Sequence, residues 1–176
     1  VVENALRLTH TESLTMEGAS VQAVFEQIAA WLLESADQHT SLRALTGELA
    51  RKLHAAGLPL ARVNLGVFAL HPEIAGYAVI WDPTKEEALE VPIRREDTLT
   101  ATYINSPIRA LVEERRHLRY RLEKGELDDA FPVLEEFQAS GHTDYAGFPI
   151  PYGGEGIAVL TLNTTRPGGF SEVEIA

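Results

Sequence analysis

The sequence predicts a single α+β domain over residues 1–176: an antiparallel sheet of about six strands, with amphipathic helices on one face and an irregular helical insert on the other. Three observations predict it. Two leading stretches repeat their apolar residues at helical spacing. The strand-like segments that follow come in adjacent pairs joined by turn-like sequences, so they read as hairpins and not as crossover units. Residues 94–140 sustain neither period for long.

Residues 1–19 read as an N-terminal extension, and the opening VVENALRL lacks a basic n-region or signal-type apolar run, as expected of an interior piece of a longer chain. From Ser20, Val21, Val24, Phe25, Ile28, Trp31 and Leu32 fall on one helical face. A second helix is announced by Thr40/Ser41 as cap, runs through Leu42, Leu45, Leu49 and Leu53, and is stopped by Gly57 and Pro59. Val63, Leu65, Val67 and Ala69 then alternate with Arg62, Asn64, Gly66 and Phe68, and Tyr77–Trp81 alternates again after HPEIAG: a hairpin. LEVPI at 89–93 makes a third strand, which Pro92 assigns to an edge or a strand end.

Ser106-Pro107 places an N-cap before a proline at the first helical position and opens a short helix through Ile108, Leu111 and Val112. HLRYRL (117–122) reads as a strand. A helix from Asp128/Asp129 carries Phe131, Leu134 and Phe137 to Gly141. DYAGFPIPY and GIAVLTLNT, joined through GGEG, form a closing hairpin whose first strand Pro149 and Pro151 weaken. At 171–176, Ser171 and Glu174 have capping-box spacing and Phe170 and Ile175 staple spacing, the start of a connecting helix.

With 15 Lys+Arg against 26 Asp+Glu, the formal charge of −11 repels nucleic acid and anionic membranes. No apolar run approaches the ~20 residues that cross a bilayer. The absence of cysteine excludes disulfides, thiolate metal sites, Cys nucleophiles and thioether attachment of a pigment, and fits a cytoplasmic setting.

GHTDYAGFP (141–149) is the most suggestive chemical stretch. His142 and Asp144 suit a metal or polar ligand and Tyr145 suits stacking, but a helix stop, a turn and a strand start account for the same letters. No HExxH or DxDxDG spacing supports a metal, and the glycine-rich YGGEG and RPGGF lack the lysine of a phosphate loop. In RRHLRYR (115–121), Arg119 and Arg121 share a strand face. They either pair with acids such as Glu113 and Glu114 or form an anion-recognising wall. No GxSxG and no His with an evident base partner is present.

Taken in order, LxxAGLPLxRV (53–63), LHPEIAGYAVIW (70–81), NSP (105–107), FPVLEEFQASGHTDYAGFPIPY (131–152) and TTRPGGFSEVE (164–174) resemble the GAF-like amino-terminal regulatory region of bacterial class III adenylate/guanylate cyclases. The resemblance implies a non-catalytic sensory domain without a cofactor. It also implies a connecting helix after GGFS that leads to a cyclase catalytic domain in cis. The metal-binding F-x-D-x-x-G-F-T-like segment of that catalytic domain is not in this sequence. The Asn-Lys pair of cyclic-nucleotide-binding GAF domains is missing, as is the cysteine of pigment-binding domains and of GAF-like methionine-sulfoxide reductases, so the effector is not identified.

The expected ligand site lies between the sheet and the insert, and the residues chosen for it are Arg62, Trp81, Tyr103, Arg119, Asp144 and Tyr145. The aromatic rings supply area, the arginines meet an anionic group, and Asp144 accepts from a donor. The competing reading is a packing and dimerisation module without a ligand. In either, a homodimer is expected through the helices, on part of the Val21, Val24, Ile28 and Trp31 face.

Overall fold

The computed structural model describes residues 22–35, 41–68, 73–127, 131–153 and 156–176. Helix α1 (residues 22–35) lies against α2 (Leu42–Ala55), the Lys52 ammonium sitting 4.8 Å from the centre of the Trp31 ring. The Ser41 hydroxyl caps α2 by accepting from the Ala44 amide at 3.2 Å, as its position before the apolar repeat predicts. Val21, Thr40, the His71-Pro72 turn and Asp128/Asp129 lie outside the described residues.

The sheet comprises β1 (Arg62–Phe68), β2 (Ile74–Trp81), β3 (Leu89–Arg94), β4 (Leu118–Tyr120), β5 (Asp144–Tyr152) and β6 (Gly156–Thr164). Their order is β3-β2-β1-β6-β5-β4, and every pairing is antiparallel. The antiparallel α+β architecture is therefore the one expected. Pro92 sits on edge strand β3. Pro149 and Pro151 are tolerated in β5 because β4 pairs only with Tyr145–Gly147, which leaves the outer side of β5 unpaired at both prolines.

Between β3 and β5 runs the insert: a 3-10 turn (Arg95–Leu99), α3 (Ala101–Ile104), α4 (Pro107–Glu114), β4, a second 3-10 turn (Leu122–Lys124) and α5 (Pro132–Ala139). Ser106 caps α4 with Pro107 in its first turn, as read from the sequence. The strand expected over 117–122 is shorter: it ends at Tyr120, because the chain turns into the Leu122–Lys124 coil. Helix α6 (Glu172–Ile175) has the full capping box, Glu174 N to Ser171 Oγ at 3.3 Å and Ser171 N to Glu174 Oε2 at 2.6 Å.

Strand periodicity and register divide the side chains between two faces. Val63, Val79, Trp81 and Leu162 point to one, where they pack with Ala50 of α2, Leu60 and Phe170. Leu118 and Val159 point to the other and pack with Ala110 and Leu111 of α4, while Tyr145 packs there with Leu122 and Leu134. Helix α4 lies so close to the sheet that a Cβ on Gly147 would stand 2.7 Å from Leu111 Cδ1, which is why β5 carries no side chain at that point.

Candidate functional site

The insert does not fill the face it covers. It leaves a cavity of about 310 Å³. The floor is Asn64, Gly66 and Phe68 of β1 with Ala78 and Ile93; the wall is Thr100, Tyr103, Ser106 and Ile108. Tyr103 meets Phe68 edge-on at 6.4 Å, and burial, with Glu113 nearby, pushes its phenol pKa up. Most polar groups of the wall are occupied in shaping the insert. Asp97 accepts from the Arg94 amide at 2.8 Å, the Thr100 hydroxyl caps α3, and the Ser106 hydroxyl donates to the Tyr103 carbonyl at 2.7 Å. The lining contains no lysine or arginine, so what the cavity itself offers is apolar surface with a few hydrogen-bonding groups.

On the same face, a second row runs across the strands. Arg62 is opposite Asn163, and Asn163 is opposite Tyr145. Asn163 is fully buried and Tyr145 is 2% exposed. Among the described residues, neither the Asn163 side-chain amide nitrogen and oxygen nor the Tyr145 hydroxyl has a hydrogen-bond partner. Burial drives the Tyr145 pKa up, and the neighbouring Thr161 side chain offsets part of that rise. The Arg62 guanidinium lies 6.0 Å from the Phe137 ring, which itself stacks on Tyr145 at 6.1 Å. Burial lowers the Arg62 pKa despite the opposing field of Asp82. Arg62 makes no ion pair or hydrogen bond with any described side chain.

The remaining expected residues lie on the opposite face. Trp81 is buried in the α2 core with its ring 5.7 Å from His54. Arg119 and Asp144 form a closed unit: Nη2 donates to Asp144 Oδ2 at 2.8 Å and to the Phe170 carbonyl at 2.6 Å, and Nη1 reaches Glu172 Oε1 at 3.0 Å. Asp144, fully buried, also accepts from the Phe170 amide at 3.1 Å. Gly169, at φ 75°, permits this approach, since a Cβ there would fall 2.4 Å from Asp144 Oδ2. Arg121 joins Glu172 from beside, and Arg166 holds Glu174 at 2.5 Å. His142 is turned to the Phe137 carbonyl, Nδ1 to oxygen 3.1 Å. Among the described residues no three His, Asp or Glu side chains gather as a metal site requires.

Solved structures share this architecture. The GAF domain of a phosphoenolpyruvate-protein phosphotransferase from Coxiella burnetii superposes with a TM-score of 0.54 at 16% identity, covering 89% of this chain and 84% of that one. A GAF domain from A. aeolicus, solved in an inactive state, gives 0.55 at 12% identity, with 88% and 85% covered. The phycocyanobilin-bound GAF domain of a cyanobacterial phytochrome gives 0.55 at 18% identity, again with 88% and 85% covered. The fold is that of a GAF domain. No family model and no curated protein matches the sequence.

Of the six residues expected between sheet and insert, Arg62, Tyr103 and Tyr145 lie on the insert side of this GAF-fold sheet and Trp81, Arg119 and Asp144 do not, and Asn163 was not among the six. A signal for it was available: in GIAVLTLNT, Thr161 and Asn163 alternate with Leu160 and Leu162, a polar stripe on a strand covered on both faces. No helix among the described residues is long and apolar enough to cross a membrane.

Proposed function

We propose that this GAF domain is a non-catalytic sensory module that takes a small, largely apolar effector into the cavity between sheet and insert and reports its occupancy to an output domain. The carrying observation is the cavity of about 310 Å³, within the size range of small-molecule pockets and lined from both sides. Motifs along the chain resemble those of class III adenylate cyclase regulatory regions, and so the proposed output is cyclic AMP synthesis by a catalytic domain in cis. The proposed setting is cytoplasmic.

A physical route to the output exists in β4. Leu118 packs under α4 on the insert face, and the next residue, Arg119, grips Phe170 and Glu172 on the other. A ligand that prefers one position of α4 would bias the start of α6 through this single step of backbone. Two copies are proposed to pair through α1, where Val24, Ile28 and Trp31 are half-buried but Phe25 and Leu33 stand 66% and 82% exposed.

A thermal-shift screen of small apolar metabolites tests the cavity. An effector at 100 times its Kd should stabilise the domain by about 2.7 kcal/mol, and Ala78→Phe, which fills the floor, should abolish that shift while leaving the domain folded. A shift that survives Ala78→Phe would place the binding elsewhere.

A further inference from the structure

We propose that the row Arg62–Asn163–Tyr145 is the acid-binding end of the effector site, so that the effector is a small molecule with an apolar body and one carboxylate. The inference rests on the cavity reading and extends it. Asn163 and Tyr145 present a buried amide and a buried hydroxyl without partners, a condition native interiors rarely keep. Both are register neighbours of one another, and Arg62 is the register neighbour of Asn163. The row therefore combines one cation, one phenol donor and one amide donor. A carboxylate matches that set: the guanidinium fork meets its two oxygens, and the neutral donors complete them.

A phosphate dianion matches less well, because one arginine leaves its second charge uncompensated in a chain of net charge −11. Asp82, whose field also reaches Arg62, is turned away to the Thr84 amide and hydroxyl, each at 2.7 Å. Asn64 connects the two parts of the site. It lines the cavity, and Arg62 lies two residues earlier on the same strand face, about 6.5–7 Å away along β1. An apolar body seated over Gly66 and Phe68 thus brings a carboxylate at its end to the row. The Phe137 ring, which covers Tyr145 and borders Arg62, must shift for the carboxylate to reach the inner donors.

The test is a nitrogen-15 NMR titration of the chain with two probes of similar shape, benzoate and benzyl alcohol. Benzoate is expected to bind at least tenfold more tightly, to move the Asn163 side-chain amide resonances, and to lose that advantage in Arg62→Gln. Tyr145→Phe should weaken benzoate severalfold and leave benzyl alcohol unchanged, which also shows that the variant is folded. Equal binding of the two probes, with shifts at Phe68 and Tyr103 only, would overturn the acid end and keep the cavity. A benzoate preference that survives Arg62→Gln would overturn it as well. Binding of neither probe would remove both readings.

Discussion

Arg62 and Arg119 stand on opposite faces of one sheet, and their surroundings differ in a way that separates an arginine held by partners within the chain from the one proposed to meet a ligand. Arg119 finds its partners within the chain: a buried aspartate, a backbone carbonyl and a glutamate. Hydrogen bonding to Asp144 raises its pKa in spite of desolvation. Arg62 is desolvated without a hydrogen bond or ion pair to any described side chain, beside an amide and a phenol that lack hydrogen-bond partners among the described residues. The two clusters carry similar letters, an arginine with polar company from β5, but only in the first do the side chains find hydrogen-bond partners among the described residues.

Substitutions break this comparison in graded steps. Arg119→Gln leaves Asp144 as a buried, unpaired carboxylate and should cost about 3–5 kcal/mol in urea denaturation. Gly169→Ala forces a side chain into the left-handed region, which costs about 1–2 kcal/mol, and also presses on Asp144, so its total should be about 2 kcal/mol or more by the same measurement. Glu174→Gln has a smaller effect and a diagnostic pH profile. Burial raises the Glu174 pKa, but hydrogen bonds from Arg166 and Ser171 outweigh it and hold the group below its ordinary 4.5. A depressed folded pKa means that the stabilisation is present above the unfolded value and is lost as pH falls through the folded one. The stability of the wild-type chain should therefore decline below about pH 4.5 by an increment that Glu174→Gln removes, about 0.2–1 kcal/mol for a partly exposed pair. Arg62→Gln should change stability by no more than about 0.5 kcal/mol, because what it loses is the 6.0 Å approach to the Phe137 ring and the field of Asp82, and no ion pair or hydrogen bond with a described side chain. A large loss there would erase the distinction between the two arginines.

The parts legible in the sequence are those whose cause is local. Ser41, Ser106 and Ser171 each satisfy an amide three residues ahead, so the helix starts could be read from short words. The outer strand was legible through Pro92, since a missing donor is tolerated at an edge. Which residues meet across the sheet was not legible in this way. Arg119 reaches Asp144 across 25 positions and Phe170 across 51, contacts that depend on the order of β4, β5 and β6 and not on any neighbouring letter. The same topology sends Arg119, Asp144 and Trp81 to the helix face and Arg62, Tyr103 and Tyr145 to the insert face, a division that a list of suitable residue types does not contain. The strand expected through Leu122 stopped at Tyr120 because Leu122 is buried under α5, packed with Leu134 and Tyr145 instead of continuing the ladder.

The central proposal is that the Tyr145 hydroxyl, which has no hydrogen-bond partner among the described residues, serves a ligand. Equilibrium denaturation of Tyr145→Phe tests this directly, because the substitution removes one oxygen and leaves the ring against Phe137. Removing an orphaned buried hydroxyl relieves a desolvation penalty, and so the ligand-free variant should be more stable than the wild-type chain by about 1 kcal/mol. A variant less stable by a similar amount would mean that the hydroxyl is satisfied within the folded domain, and would contradict the account.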